Sequence, residues 1–442
     1  MRVNSIGVAL AAAAFIGLHG CGNEEPKQQA KAPAATTATP AKPAAPAAPA
    51  QDVLTVTIGH AGPLTGGIAH LGKDNENGAR LAVEEATAKK HRIGGKTVRF
   101  VLQGEDDQAD PKLGPMLAQK FADAKVAGVV GHLNSGVTIP ASAVYNQNNL
   151  PMVSGSATNP QLTEQGFKNV FRLCARDDQQ GPAVAQYLQS RQMKKIAIVD
   201  DATAYGEGLA NEVEKTLKAA GIQIVAREKT NDKAQDFKPI LTKMKGRAPD
   251  AVFYGGMDAT GGLMLKQARE LGIQAAFSFG DGACTEKMNE LAGGKVAEGL
   301  ICSQAGLPVI AASKGFLDAY KAKYNVDPVI YAPFTYDATN VLIAAMLKAD
   351  SADPAKYLPE LQKISITGAT GPIAFDSKGD RRDAEVTIFT MKGGKLEPVA
   401  IVKAGKSISF EEFMKTGSGS APAGAAPAAA APAQPAGAAP KK

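Results

Sequence analysis

Apolar positions along this chain fall into two alternating rhythms. Residues 53–59 are β-branched and alternate with period two, the pattern of a half-buried strand. A helix-period segment follows over 77–90, then a strand over 97–104, a helix over 111–124 and a short buried run over 127–131. The same rhythm predicts a helix over 137–146, a strand over 151–154 and, after a break near Arg172 to Asp178, a helix over 180–189. Strands over 196–200, 223–229, 251–255 and 276–280 then alternate with helices over 207–220, 237–245 and 261–271. Helices over 314–324 and 336–349 and a strand-rich stretch over 373–402 close the pattern. Short strands separated by helices of 10–15 residues mean parallel sheets covered on both faces. Because the rhythm runs twice, the expected fold is α/β with two lobes.

The ends are different. One cation, Arg2, precedes an apolar run over 6–18 that is too short to span a bilayer and reads as a signal-peptide core. That run closes on Leu18-His19-Gly20-Cys21. A leucine three residues before the cut, a small residue before it and a cysteine after it form a lipobox, so Cys21 is the expected lipidation site. The expectation is that the protein leaves the cytosol and works tethered to a membrane surface by its N-terminal lipid. Residues 21–52 form an Ala/Pro-rich linker and 413–442 a similar tail, both too poor in large apolar side chains to offset the entropy of ordering. Between them the organisation expected is lobe I over 53–176, lobe II over 177–303, a return to lobe I over 304–383, and final strands of lobe II over 384–412.

Net charge is +6 and is spread along the chain, and aromatic residues are few, which argues against nucleic acid as a partner. With Cys21 assigned to lipid, three cysteines remain in an oxidising compartment. Cys284 and Cys302 each end an apolar run and are the expected disulfide. Cys174 sits in an apolar run and reads as a buried free thiol. The spacings hold no zinc pattern, and no cofactor is expected.

Open α/β sheets take ligands beyond the C-terminal ends of their strands. Two such loops, around Ser135 and from Ser154 to Pro160, are rich in small hydroxyl residues and suit an anion such as a carboxylate. Asp281, flanked by Gly280 and Gly282 at a strand end, presents a carboxylate that would take an ammonium. Gly67 to Lys73 approaches a phosphate-binding loop, but Asp74 stands where serine or threonine would ligate magnesium. No nucleophile elbow, zinc-protease motif or paired histidine supports catalysis, so the chain reads as a non-enzyme.

A set of motifs carries a resemblance over roughly 53–402. They include Gly62-Pro63-Leu64-Thr65-Gly66, Leu71-Gly72-Lys73-Asp74, Gly131-His132-Leu133, Arg176-Asp177-Asp178-Gln179-Gln180-Gly181, Tyr205-Gly206-Glu207-Gly208 and Phe375-Asp376-Ser377-Lys378-Gly379-Asp380. In this order the chain resembles the leucine/isoleucine/valine-binding proteins, the periplasmic family that serves ABC importers. The resemblance implies a type I periplasmic binding fold, with each lobe a parallel sheet flanked by helices and a multi-strand hinge between them. It implies a carboxylate site at Ser135, Ser156 (through its backbone) and Thr158, and an ammonium site at Asp281. Tyr205, Tyr331, Leu71 and Met257 would line the cleft, the last two where well-known members carry aromatics. The implied partners are an amino acid and an ABC permease. A ligand-sensing receptor on the same fold, for another amino acid or a small amide or carboxylate, is the alternative.

Overall fold

The computed structural model describes residues 52–416. The signal segment, Cys21, the linker up to residue 51 and the tail from 417 lie outside the described residues. Six strands build the first sheet: β1 (Val53–Gly62), β2 (Arg92–Ile93), β3 (Lys96–Asp106), β4 (Gly128–Gly131), β5 (Met152–Ser154) and β6 (Val170–Arg172). Their spatial order is β2-β3-β1-β4-β5-β6, with every pair parallel except the β2–β3 hairpin. The second sheet begins with β7 (Lys195–Asp200), β8 (Gln223–Lys229), β9 (Ala251–Gly255), β10 (Ala276–Phe279) and β11 (Ile301–Gln304). A small hairpin, β12 (Ser365–Gly368) and β13 (Gly371–Ala374), stands apart from both sheets. Strands β14 (Glu385–Lys392), β15 (Lys395–Lys403) and β16 (Lys406–Ser409) complete the second sheet in antiparallel fashion, giving the order β16-β15-β14-β11-β10-β9-β7-β8.

Each sheet reverses its strand order once, between β1 and β4 in the first and between β7 and β9 in the second. Those reversals open crevices at the C-terminal strand ends, where ligands of open α/β sheets bind. Three chain segments cross between the sheets: Leu173 to Arg176 after β6, the stretch after β11, and Arg381 to Ala384 before β14. The first sheet packs Ile58, Phe100 and Val130 against Val341, Leu342 and Met346 of the returning helix Ala332–Lys348. The second packs Ile198, Phe253 and Ile388 against Val184, Leu209 and Val213. A further cluster joins Leu71, Leu133, Ile330 and Tyr331 to Met264, Phe279 and Leu300, so apolar packing continues from one lobe into the other. The lobes are closed on each other.

Several elements differ from the pattern reading. The helices begin earlier: Ala69–Ala88, Asp258–Glu270 and Ala332–Lys348 each gain one or two polar or small-residue turns. Leu71 and Asp74 are therefore helical, where the sequence suggested a loop. Gly72 makes this possible, because a Cβ there would sit 2.0 Å from the Pro63 carbonyl oxygen. After Thr158 comes a single helical turn, Gln161–Glu164, and both it and the strand β6 that follows are absent from the pattern. Helix Phe410–Lys415 runs past the expected end of the folded part at 412, held by buried Phe413. Cys284 and Cys302 are bonded, with Cα atoms 5.2 Å apart, and Cys174 is a buried free thiol.

Candidate functional site

Ser135 is the first residue of helix Ser135–Gln147, which follows β4. It is 1 % exposed, and its hydroxyl accepts a 3.2 Å bond from the Asn159 amide. That bond ties the two hydroxyl-rich loops together. Ser156, after β5, accepts from the Asn75 side-chain amide at 3.1 Å, while the Asn75 carbonyl oxygen accepts from the Thr335 hydroxyl. Thr158 is fully buried, and its two neighbours are clamped from behind. Arg172 Nη1 donates to Ala157 O at 3.1 Å and to Asn159 O at 2.7 Å. Arg172 is itself buried and is neutralised by Asp380, 2.6 Å away on the returning segment. Asn159 Oδ1 accepts from Gln161 N at 2.9 Å and so caps the short turn. These contacts hold Ser135, Ser156 and Thr158 as one small polar wall at the strand ends of the first sheet.

The second lobe meets it with a carboxylate. Asp281 follows β10 and is 1 % exposed. It accepts from Tyr205 Oη at 2.9 Å, Gln180 Nε2 at 3.0 Å and Tyr331 Oη at 2.8 Å. Burial pushes its pKa above the ordinary carboxylate range, and those three donors pull it back. Tyr205 sits at the start of helix Ala204–Ala219, which Thr203 caps through a 3.0 Å bond to Gly206 N. Gly206 lets this helix approach β9, since a Cβ there would lie 2.4 Å from the Gly255 carbonyl oxygen. Met257 opens helix Asp258–Glu270 and packs beside Tyr205, near Gly282.

Among the described residues Tyr331 is the aromatic that reaches Asp281 from the first lobe. Its position is set by Asp74, whose carboxylate accepts from the amides of Val329, Ile330, Tyr331 and Ala332 at 2.8–3.0 Å. The residue that argues against a phosphate loop thus serves as the anchor of the returning segment. Two other contacts named here also bridge the lobes: Asn159 Nδ2 to Ala204 O at 2.6 Å and His70 Nε2 to Asp258 Oδ2 at 2.7 Å. Thr285 donates to the same Asp258 oxygen at 2.7 Å. Between the lobes lies a cleft of about 710 Å³, bordered by Ile68, Asn134, Gly136, Tyr205 and Met257. Leu71 is fully buried beside Tyr331 in the cluster that spans the lobes.

Of the eight residues expected in the cleft, Tyr205 and Met257 border this opening, while Ser135, Ser156, Thr158, Asp281, Tyr331 and Leu71 are buried at the strand ends or on the segments beside it. Asp74, Gln180, His70 and Asp258 were not among them. Asp74, Gln180 and His70 did fall inside quoted motifs, but their roles need partners 258, 101 and 188 positions away. Among the described residues no group of three or more His, Cys, Asp or Glu is placed to hold a metal.

Two α/β lobes closed on each other around an interlobe cleft define a two-lobed binding protein. The chain belongs to the periplasmic binding protein family, whose pattern it matches over residues 55–395. It is similar to the leucine-, isoleucine-, valine-, threonine- and alanine-binding protein of Pseudomonas aeruginosa, with 34 % identity over 338 residues, 76 % of this chain and 89 % of the relative. It is also similar to the Leu/Ile/Val-binding protein homolog 1 of Brucella abortus, with 36 % identity over 327 residues, 74 % of this chain and 87 % of the relative. Among solved structures, a leucine-binding protein of Thermotoga maritima superposes with a TM-score of 0.73 at 30 % identity, covering 79 % of this chain and 99 % of the other. The branched-chain amino acid transporter substrate-binding protein of Streptococcus pneumoniae, in complex with isoleucine, gives a TM-score of 0.72 at 29 % identity, covering 79 % and 100 %. Membership in this family implies a periplasmic location.

Proposed function

We propose that this protein is an extracytoplasmic solute receptor that binds an aliphatic, branched-chain amino acid between its lobes and delivers it to an ABC importer permease. The observation that carries this reading is the buried Asp281 carboxylate of the second lobe, reached by Tyr331 of the first, together with the buried Ser135, Ser156 and Thr158 at the first sheet's strand ends. A zwitterion satisfies both sides at once. Its carboxylate accepts from the hydroxyls and helix-start amides, and its ammonium pairs with Asp281. Leu71, Met257 and Tyr331 surround the remaining side chain with apolar surface, and each additional buried CH₂ adds about 0.8 kcal/mol. The names of the relatives, which bind leucine, isoleucine and valine, support the same ligand class. Lipid on Cys21 would tether the receptor to a membrane.

Thermal unfolding in the presence of each amino acid tests the proposal. A ligand that binds only the native state, at a hundred times its Kd, adds about 2.7 kcal/mol. Leucine, isoleucine and valine should raise Tm most, alanine less, and charged amino acids not at all. A rise confined to polar or aromatic ligands would overturn the assignment.

A further inference from the structure

Asp177 opens the helix Asp177–Ser190 at the crossing between the lobes and is fully buried. Its amide donates to Thr158 O at 2.9 Å, which places it against the hydroxyl wall. One turn further on, Gln180 Nε2 donates to Asp177 Oδ1 at 3.1 Å and to Asp281 Oδ1 at 3.0 Å. A single nitrogen shared this way keeps the two carboxylate oxygens within about 6 Å of each other, a range in which like charges suppress joint ionisation. The Gln180 carbonyl oxygen is itself engaged by Asp281 N at 3.0 Å and Ser303 Oγ at 2.7 Å, so its orientation is fixed.

Among the described residues no cation is hydrogen-bonded to this pair. Arg172 faces it from β6, but every nitrogen of its guanidinium is committed to Asp380, Thr163, Ala157 O or Asn159 O. Asp380 is shared between Arg172 and Arg176. Tyr205 and Tyr331 approach as neutral hydroxyl donors, and burial pushes the Cys174 thiol far up, which keeps it protonated. Meanwhile the Thr158 hydroxyl, buried beside Asp177, is the polar group of the hydroxyl wall that interacts with the Asp177 carboxylate.

We propose that Asp177 is a second carboxylate of the ammonium subsite, and that the Asp177–Asp281 pair holds one proton in the free protein and releases it when a ligand ammonium enters. The inference rests on the amino-acid reading above and extends it. Burial and the facing Asp281 carboxylate both push the Asp177 carboxyl well above its usual range; Thr158, Arg172 and Gln180 oppose this less strongly. In the exchange, a carboxylic acid loses H⁺ to solvent and the resulting carboxylate pairs with the incoming R–NH₃⁺. No covalent bond of the ligand changes. Because binding expels a proton, affinity falls as pH falls, by up to about tenfold per pH unit where the free pair is protonated.

Titration calorimetry with leucine in two buffers of different ionisation enthalpy, at several pH values, reads the proton directly. Wild type should release a proton on binding leucine, approaching one per leucine as the pH is lowered into the range where the free pair is protonated. Asp177→Asn should bind leucine roughly tenfold or more weakly, having lost a charged partner, and should release no proton. Buffer-independent heats and a pH-independent Kd in wild type would overturn the proposal while leaving the amino-acid reading intact. Full proton release by Asp177→Asn would overturn it as well. Absence of binding by leucine, isoleucine and valine in wild type would sink the parent reading and this one with it. The wild-type arms need no substitution, so the proposal stays exposed to refutation even if the variant fails to fold.

Discussion

Replacing Asp74 with asparagine should loosen the segment that carries Tyr331 into the cleft. Asp74 Oδ2 accepts from the amides of Ile330, Tyr331 and Ala332, while Oδ1 accepts from the Val329 amide and the Tyr320 hydroxyl. In asparagine one of these oxygens becomes an NH₂ group. With the NH₂ in the Oδ1 place, the Val329 amide meets another donor; the opposite flip strands three amides. The better orientation still leaves one donor unpaired, at about 1–3 kcal/mol. The carboxylate charge also faces the start of helix Ala332–Lys348, and its loss removes about 1 kcal/mol of dipole stabilisation. Together these predict a destabilisation of about 3 kcal/mol. An unfolding entropy of about 2 cal/mol/K per residue, over a folded part of about 365 residues, turns this into a Tm drop of about 4 °C. Differential scanning calorimetry of wild type and Asp74→Asn reads it. Leucine affinity should fall in the same variant, because Tyr331 loses its fixed backbone. A Tm within about 1 °C of wild type would refute the view that this carboxylate anchors the returning segment.

Asp281→Asn removes the charge-assisted partner of a buried ammonium and should weaken leucine binding by roughly 2–5 kcal/mol in titration calorimetry; unchanged affinity would move the ammonium elsewhere. His70→Ala breaks one contact between the lobes and should raise the leucine Kd roughly threefold to tenfold, while a Kd equal to wild type would show that this contact does not hold the closed state. Cys21→Ser should move the protein from the membrane to the soluble periplasmic fraction without altering leucine binding, and membrane retention of the variant would count against lipid attachment at that cysteine.

Strands such as β8 and β9 were legible to the residue because apolar or β-branched runs there are bounded by turn residues. The helix starts were not. Ala69, Asp258 and Ala332 begin turns whose polar and small residues pack against the other lobe or cap neighbouring segments, so their periodicity is masked. β6 was hidden by Arg172, a charge that local pattern assigns to solvent and that a partner 208 residues away makes tolerable in the core. The hydroxyl wall and Asp281 could be read because ligand loops follow strand ends in this fold class, and strand ends are visible in the pattern. Asp74 and Gln180 could not, since each acts through groups that only the closed tertiary structure brings within reach. Asp177 stood inside a quoted motif, yet its closeness to Asp281 depends on a glutamine bridge between two carboxylates far apart in the chain.

The most direct test of the account is a crystal structure of the protein grown with leucine. The account predicts leucine between closed lobes, its carboxylate against Ser135, Ser156 and Thr158, its ammonium on Asp281 with Asp177 behind, and its side chain among Leu71, Met257 and Tyr331. Leucine bound in the reverse orientation, or bound outside the interlobe cleft, would contradict it.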